Sequence, residues 1–378
     1  MPPPPELTDD AITEILLRLP PDEPENLMRA SLVCKPWLRI LTDPGFRRRY
    51  SAFHRTPPVL GLLHACQVIG GGPPPSFNPT TAAPFTPYPY YRRPLDCHHG
   101  RVLLHANDDG WYLVVWDPVT GDRQRVPEAG INWLIYSAAV FCAVSGCDHI
   151  DCHGGPFRVV FITIEDYTDA VKATVYSSET DEMYFTLRWK NAIVKYNWSK
   201  NCISLIDPPS HTAYFVTLME MGDNALGFAC IEGSSLHLWS RKVGTEGTAE
   251  WMQCRVIELD GRIPGVKSKG GGHVVGSAEG ADVIFVATDV GLVTFKLKSG
   301  RVTKVDDAQA YFSVLPYMSF YTPGTEGLLI RVKCSVGCMI MTKCWFRIVK
   351  TYKGYKADKF RNLGDTTGNE ETSIGRYN

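Results

Sequence analysis

Between residues 116 and 300 one local signature comes back five times: an aromatic side chain followed, five positions later, by a turn-favouring residue. It occurs at Trp116 with Gly121, Tyr176 with Asp181, Tyr196 with Asn201, Trp239 with Gly244, and Phe295 with Gly300. Aromatic rings sit well on a pleated surface, and Gly, Asp and Asn tolerate the backbone of tight turns, so each pair marks a strand entering a hairpin. Short β-branched and aromatic runs surround them, at 101–105, 112–116, 157–164, 213–218, 235–239, 283–287 and 290–297. The successive spacings of the aromatics are 60, 20, 43 and 56. A four-stranded propeller blade takes roughly 40–50 residues, so three of these gaps suit one blade per repeat and the short one does not. Either a blade is truncated between Tyr176 and Tyr196, or two hairpins share a blade. The pattern predicts an all-β propeller of five to six blades over residues 97–330, against a pair of β-sandwiches or a barrel.

The first fifty residues have a different period. Thr8 suits an N-cap, Asp9 and Asp10 suit the positive end of a helix dipole, and Ile12, Ile15, Leu16 and Leu19 form one apolar stripe. Pro20-Pro21 stops this helix. A second helix starts with Asp22 as candidate cap and Pro24 in its first turn, and carries Leu27, Ala30, Ser31 and Val33. Pro36 fits only the first turn of a third helix, with Trp37, Leu38 and Leu41, which Asp43-Pro44-Gly45 closes. Arg47, Arg48 and Arg49 then read as a solvated basic run. Three short helices are too small to fold comfortably alone, so residues 5–50 call for a partner surface. Residues 51–96 read as a linker, with ten prolines between 57 and 94 and one possible strand within 59–69. Residues 331–378 read as a basic tail, with nine Lys or Arg and one acidic residue between 331 and 361.

Charge and cysteine content narrow the function. With 39 basic and 40 acidic residues, the net charge of −1 argues against coating nucleic acid or an anionic membrane. The longest nearly apolar run, 133–144, is far short of the roughly 20 residues of a spanning helix. The start of the chain has no basic or apolar leader pattern, so a secretory signal is not expected. Twelve cysteines without disulfide-like spacing suit reduced thiols, hence cytoplasm and/or nucleus.

The opening segment resembles an F-box. The matching positions are Leu7, Asp10, Ile15, Leu16, Leu19, Pro20, Leu27, Val33, Cys34, Trp37, Leu41, Pro44 and Phe46, with Thr8 where the family usually has proline. The remainder looks like the β-propeller associated domain of plant F-box proteins, the grass families in particular. It carries this likeness in His99-Gly100-Arg101-Val102-Leu103-Leu104, Trp116-Asp117-Pro118-Val119-Thr120-Gly121-Asp122, Ser204-Leu205-Ile206-Asp207-Pro208-Pro209 and Pro316-Tyr317-Met318-Ser319-Phe320-Tyr321. It departs from it in a short stretch at 184–191 and in the basic tail. The resemblance implies a substrate-recognition adaptor of an SCF-type ubiquitin ligase. The F-box would dock on a Skp-type adaptor, and through it on cullin and a RING protein, while the propeller holds an unknown target. Leu7, Ile15, Leu16, Leu19, Pro20, Val33, Trp37 and Leu41 are the implied contact or support residues, with Val33 expected to be buried. The competing reading is a ligand-binding or degenerate propeller without a ligase role.

Chemistry of its own is not expected. Cys142, Cys147, His149, Cys152 and His153, beside Asp148 and Asp151, offer zinc-type donors, but no paired C-x2-C is present, and an inter-strand loop is the plainer account. Cys334, Cys338 and Cys344 make a weaker case. Asp96, Cys97, His98 and His99 place a thiol beside imidazoles, yet strand neighbours point to opposite faces, and a turn before Arg101 explains them better. The glycines at 270–272 and 276 match no nucleotide-binding pattern and read as a loop. No G-x-S-x-G occurs. No catalytic residue, cofactor or metal is therefore expected, and Trp111 or Trp133 remain possible substrate anchors.

Overall fold

The computed structural model describes residues 7–66, 76–82, 85, 91–106, 112–127, 136–149, 152–164, 170–179, 183–189, 193–197, 202–206, 217–221, 225–243, 249–267, 271–278, 280–307 and 311–323. The basic tail, Trp111, Trp133 and the cysteines at 334, 338 and 344 lie outside them.

Among the described residues the N-terminal region holds four helices, where the sequence predicted three. In α1 (Asp9–Leu17) the Thr8 hydroxyl accepts from the Ala11 amide at 3.3 Å, with Asp9 and Asp10 in the first turn. Its buried side is Ile12, Leu16 and Leu17, while Ile15 points outward, so the single stripe read from the sequence splits into two faces. In α2 (Pro24–Ser31) Glu23, and not Asp22, is the N-cap, with no side-chain cap bond. α3 (Lys35–Thr42) holds Pro36 in its first turn, as predicted. Asp43 ends α3 and also begins α4 (Pro44–His54), its carboxylate accepting from the Phe46 amide at 3.0 Å. An Asp-Pro pair both stops one helix and caps the next, and only the stop was read. The arginine run lies on this helix, and Phe46 and Tyr50 anchor it in the helical core with Leu16, Leu27 and Leu41.

The one strand allowed for within 59–69 is present, and further strands follow before residue 97. The stretch read as a linker supplies β1 (Val59–Cys66), β2 (Ser76–Pro79) and β3 (Tyr91–His98). With β3, β4 (Arg101–Ala106), β5 (Tyr112–Trp116) and β6 (Arg123–Val126) make one antiparallel sheet. A second comprises β7 (Tyr136–Cys142), β8 (Phe157–Ile164), β9 (Ala170–Ser177) and β10 (Met183–Trp189). Then β11 (Ile193–Asn197) and β12 (Cys202–Ile206) form a ladder of two. Two more four-stranded sheets follow: β13 (Thr217–Met221), β14 (Ala225–Glu232), β15 (Ser235–Val243) and β16 (Ala249–Glu258); then β17 (Gly272–Ala278), β18 (Val283–Thr288), β19 (Gly291–Lys296) and β20 (Val302–Asp306). Finally β21 (Tyr311–Met318) pairs with β1, which pairs with β2, so the last strand closes on the first. These four-stranded sheets and the closing three-stranded sheet are five blades in a propeller arrangement.

All five signature aromatics stand on strands that pair antiparallel with the next strand, and in four cases these are the third and fourth strands of a blade; Asp181, Asn201 and Gly244 lie outside the described residues. The fifth, Tyr196, stands on β11, which pairs with β12. By this correspondence the two-stranded ladder is the outer half of a blade. Only residues 190–192 separate β10 from β11, too few for an inner strand pair. That truncation, one of the two alternatives left by the spacing, accounts for the gap of 20.

Blades pack face to face, and their middle strands show it: β4, β5 and β18 are buried on both sides. Along β4, Val102 and Leu104 enter the core shared with the closing blade, and Leu103 enters the core shared with β7–β9, the period of two of a strand. At the centre β17 approaches β21 so closely that a Cβ at Gly276 would collide with the Val314 carbonyl oxygen. The glycine-rich 272–276 stretch is therefore strand and not loop, and glycine is there for space. The helical module rests on this ring. Met28 packs against the closing-blade core, and the Tyr50 ring meets Phe320 edge-on at 6.1 Å.

Candidate functional site

The eight side chains singled out in the helical module separate by burial. Leu16 and Leu41 are each 1% exposed and belong to its core; Leu19 and Trp37 are half-buried against it. Leu7, Ile15, Pro20 and Val33 face outward, with Val33 62% exposed where the sequence suggested burial. The connection between α2 and α3 explains this. Leu32 and Val33 amides close the end of α2 by bonding the Arg29 and Ala30 carbonyls, at 3.1 and 3.2 Å. Cys34 is then extended, so the Leu32 and Val33 side chains stand clear of the core. Leu32 and Phe53 are two further exposed apolar residues. Leu32 directly precedes the Val33-Cys34 pair of the resemblance, and Phe53 lies on the fourth helix, which the sequence pattern did not predict.

The outward residues are held by a rigid base. From α4, the Tyr50 hydroxyl donates to the Leu19 carbonyl at 2.9 Å, and His54 Nε2 lies 2.9 Å from the Leu17 carbonyl oxygen. Burial, aided by the Asp22 carboxylate, pushes the Tyr50 phenol above its usual range, so it stays a neutral donor. Arg49 pairs with Glu14 of α1 at 3.0 Å, and Arg48 reaches Asp148 of the β7–β8 loop at 3.5 Å. The solvated arginine face is thus also a set of tethers.

That β7–β8 loop is where the second group of candidates gathers. Cys142 ends β7, and positive φ at Gly146 (69°) and His149 (56°) turns the loop back on itself. Sγ of Cys142, Cys147 and Cys152 and a ring nitrogen of His149 all lie within 4.8 Å of one another. His153 is not in this group; its Nδ1 is 2.7 Å from Asp117 Oδ2. Asp117 also accepts from the Val119 and Thr120 amides at 2.8 and 3.3 Å, and from the Tyr317 hydroxyl at 3.3 Å. Burial would raise its carboxyl, but His153 and the two amides hold it below the usual carboxylate range. Burial, then the neighbouring Cys142, pushes the Cys152 thiol up to about 12, against the pull of Arg101. Asp96 accepts from the Val140 amide at 2.9 Å, and His99, in a turn with positive φ, stacks on His149 with centroids 4.0 Å apart. A cavity of about 470 Å³ lies at this junction, between Arg55 and Pro57 of the helical side and Cys97, Glu220, Ser277 and Val314 at the mouth of the ring.

Residues 5–49 match the F-box domain family. No curated protein matches the sequence. Among solved structures the chain is similar to the WD40 domain of SCAP from fission yeast, at 11% identity, covering 59% of this chain and 43% of that one, with a TM-score of 0.24. It is also similar to puromycin hydrolase (13% identity, 59% and 42% covered, TM-score 0.27) and to a protein from Lactobacillus plantarum (11%, 68% and 98%, 0.31). The chain spans less than half the length of the first two. At these scores the three likenesses carry no argument about activity.

Proposed function

We propose that this chain is the substrate-recognition subunit of an SCF-type ubiquitin ligase. Its F-box domain docks on a Skp-type adaptor, which brings cullin and a RING protein, and the propeller holds the target. We place the propeller in the grass-type F-box-associated class, on the 99–104 and 116–122 motifs, and the protein in cytoplasm and/or nucleus. One observation carries the reading: the segment that matches the F-box leaves Leu7, Ile15, Leu32 and Val33 in water. Large apolar side chains clustered in a short segment and left exposed are the mark of a surface that a partner covers. The subunit then does no covalent chemistry. It raises the effective concentration of a target lysine beside the charged conjugating enzyme.

The test is capture of a Skp-type adaptor by the full chain carrying Ile15→Asp and Val33→Asp together. Both positions are exposed, so unfolding should change by no more than about 0.5 kcal/mol per site. Capture should fall at least ~10-fold, as for the loss of interface anchors. Undiminished capture by the folded double variant would remove the docking role.

A further inference from the structure

We propose that Cys142, Cys147, His149 and Cys152 bind one Zn²⁺ ion as a closed structural site. The inference does not depend on the ligase reading. Zinc takes four ligands in a tetrahedron with Zn–S about 2.3 Å and Zn–N about 2.0–2.1 Å, which sets donor separations of roughly 3.4–3.8 Å. Here Cys152 Sγ is 3.6 Å from His149 Nδ1, and all four donors fall within 4.8 Å, so a contraction of about an ångström at most completes the shell. Three thiolates with one imidazole select a soft, tetrahedral ion over calcium or magnesium.

The surroundings also fit a charged centre. Three thiolates around Zn²⁺ leave one negative charge. The Arg101 guanidinium, 2% exposed, lies with Nη1 3.9 Å from Cys152 Sγ. Its other described partners are the carbonyls of Cys152 and Gly155 and the Phe157 ring, none of which cancels its charge. A buried cation without a counter-charge is costly, and a zinc–thiolate centre supplies the counter-charge. The His149 amide already points at Cys147 Sγ, 3.4 Å away, a donor directed at a sulfur. His149 holds an unfavourable positive φ to present its ring, a local strain that coordination would repay.

The sequence alone argued against this site because the spacing, C-x4-C-x-H-x2-C, has no paired half-sites. One hairpin loop supplies all four ligands, with Cys142 at the strand end as its base. Asp148 lies between two of them and pairs with Arg48 of α4, so the metal would fix the loop that ties the F-box domain to the ring.

The experiment is elemental analysis of the full chain purified under reducing conditions without chelator, followed by cobalt substitution. One zinc per chain is expected, and the cobalt form should show tetrahedral d–d bands with sulfur-to-cobalt charge transfer. Cys147→Ser and His149→Ala should lower zinc to well under half occupancy. Cys230→Ser, and a joint Cys334→Ser, Cys338→Ser and Cys344→Ser variant, should keep it. Should the loop variants not fold, the stoichiometry and cobalt spectrum of the unaltered chain decide. A metal-free protein that takes up no tetrahedral cobalt overturns the site. So does zinc that stays in the loop variants, or a native mass two daltons low from a disulfide within the quartet.

Discussion

In the ring, apolar side chains go between blades; in the helical module they go both inward and outward. Among the described residues ten large hydrophobic side chains are exposed, and Leu7, Ile15, Leu32, Val33 and Phe53 come from the short helical segment while five come from the described residues after it. Those five are scattered: Met252 and Val256 on β16, Val305 on β20, and Val144 and Val290 in connections. The outer strand of a blade faces water, and isolated apolar residues there need no explanation. The contrast teaches where each part obtains its stability. A propeller satisfies its apolar surface by closing on itself. A four-helix module with apolar groups on both sides turns one side to the ring and leaves the other in water.

The sharpest way to break this contrast is Trp116→Ala. The indole is fully buried in the core shared by the closing blade, edge-on to Phe77 at 5.8 Å, and removing it leaves a cavity that the strands cannot fill. We expect the ring to lose about 3–5 kcal/mol in denaturant unfolding, while adaptor capture well below the transition is kept. A loss under about 1 kcal/mol would mean that the blades are not close-packed there.

Two neighbours on one helix, Leu16 and Ile15, should respond very differently to truncation. Leu16→Ala should cost the helical module about 2–5 kcal/mol, because Leu16 sits in its core against Leu27 and Tyr50. Ile15→Ala, 49% exposed, should stay within about 0.5 kcal/mol in the same unfolding measurement. Equal costs would merge the two faces. This pair also shows why substitution at Leu16 is a poor probe of docking: it reports folding first.

What could be read in advance follows from which interactions are local. The hairpins were legible because an aromatic residue and its turn lie within one strand and one loop, and each of the five aromatics stands on a strand that pairs antiparallel with the next one. The truncated blade was legible as a spacing. Helix α4 was not, because Asp43-Pro44-Gly45 carries a stop and a start in the same three residues. β2 and β3 were hidden by proline-rich flanks, since what makes them strands is their pairing with β1 and with β4, which the proline-rich composition does not announce. The exposure of Ile15 and Val33 depends on how helices pack, which the apolar stripe alone cannot settle. The convergence of Cys142, Cys147, His149 and Cys152 needs positive φ at His149, a conformation that a histidine in the sequence does not announce.

The smallest expected effect concerns the polar pin between these parts. Asp117 follows Trp116 at the β5–β6 turn, receives two amides of its own turn, and holds His153 of the loop next to the cysteine cluster. Asp117→Asn keeps the shape and an acceptor but removes the charge, and should cost about 1–3 kcal/mol at neutral pH. The pH dependence gives the sign. The folded carboxyl sits below its ordinary value, so its stabilising contribution is complete above the unfolded-state pKa of about 3.9 and disappears as pH falls through the lower, folded value. Urea midpoints measured from pH 7 down to about pH 2 should therefore keep their difference down to about pH 4, and below it fall faster in the unaltered protein than in Asp117→Asn, so that the two curves approach each other. Curves that stay parallel would mean that the carboxylate is held no more tightly in the folded ring than in the unfolded chain, and that the loop is pinned to the ring by other contacts.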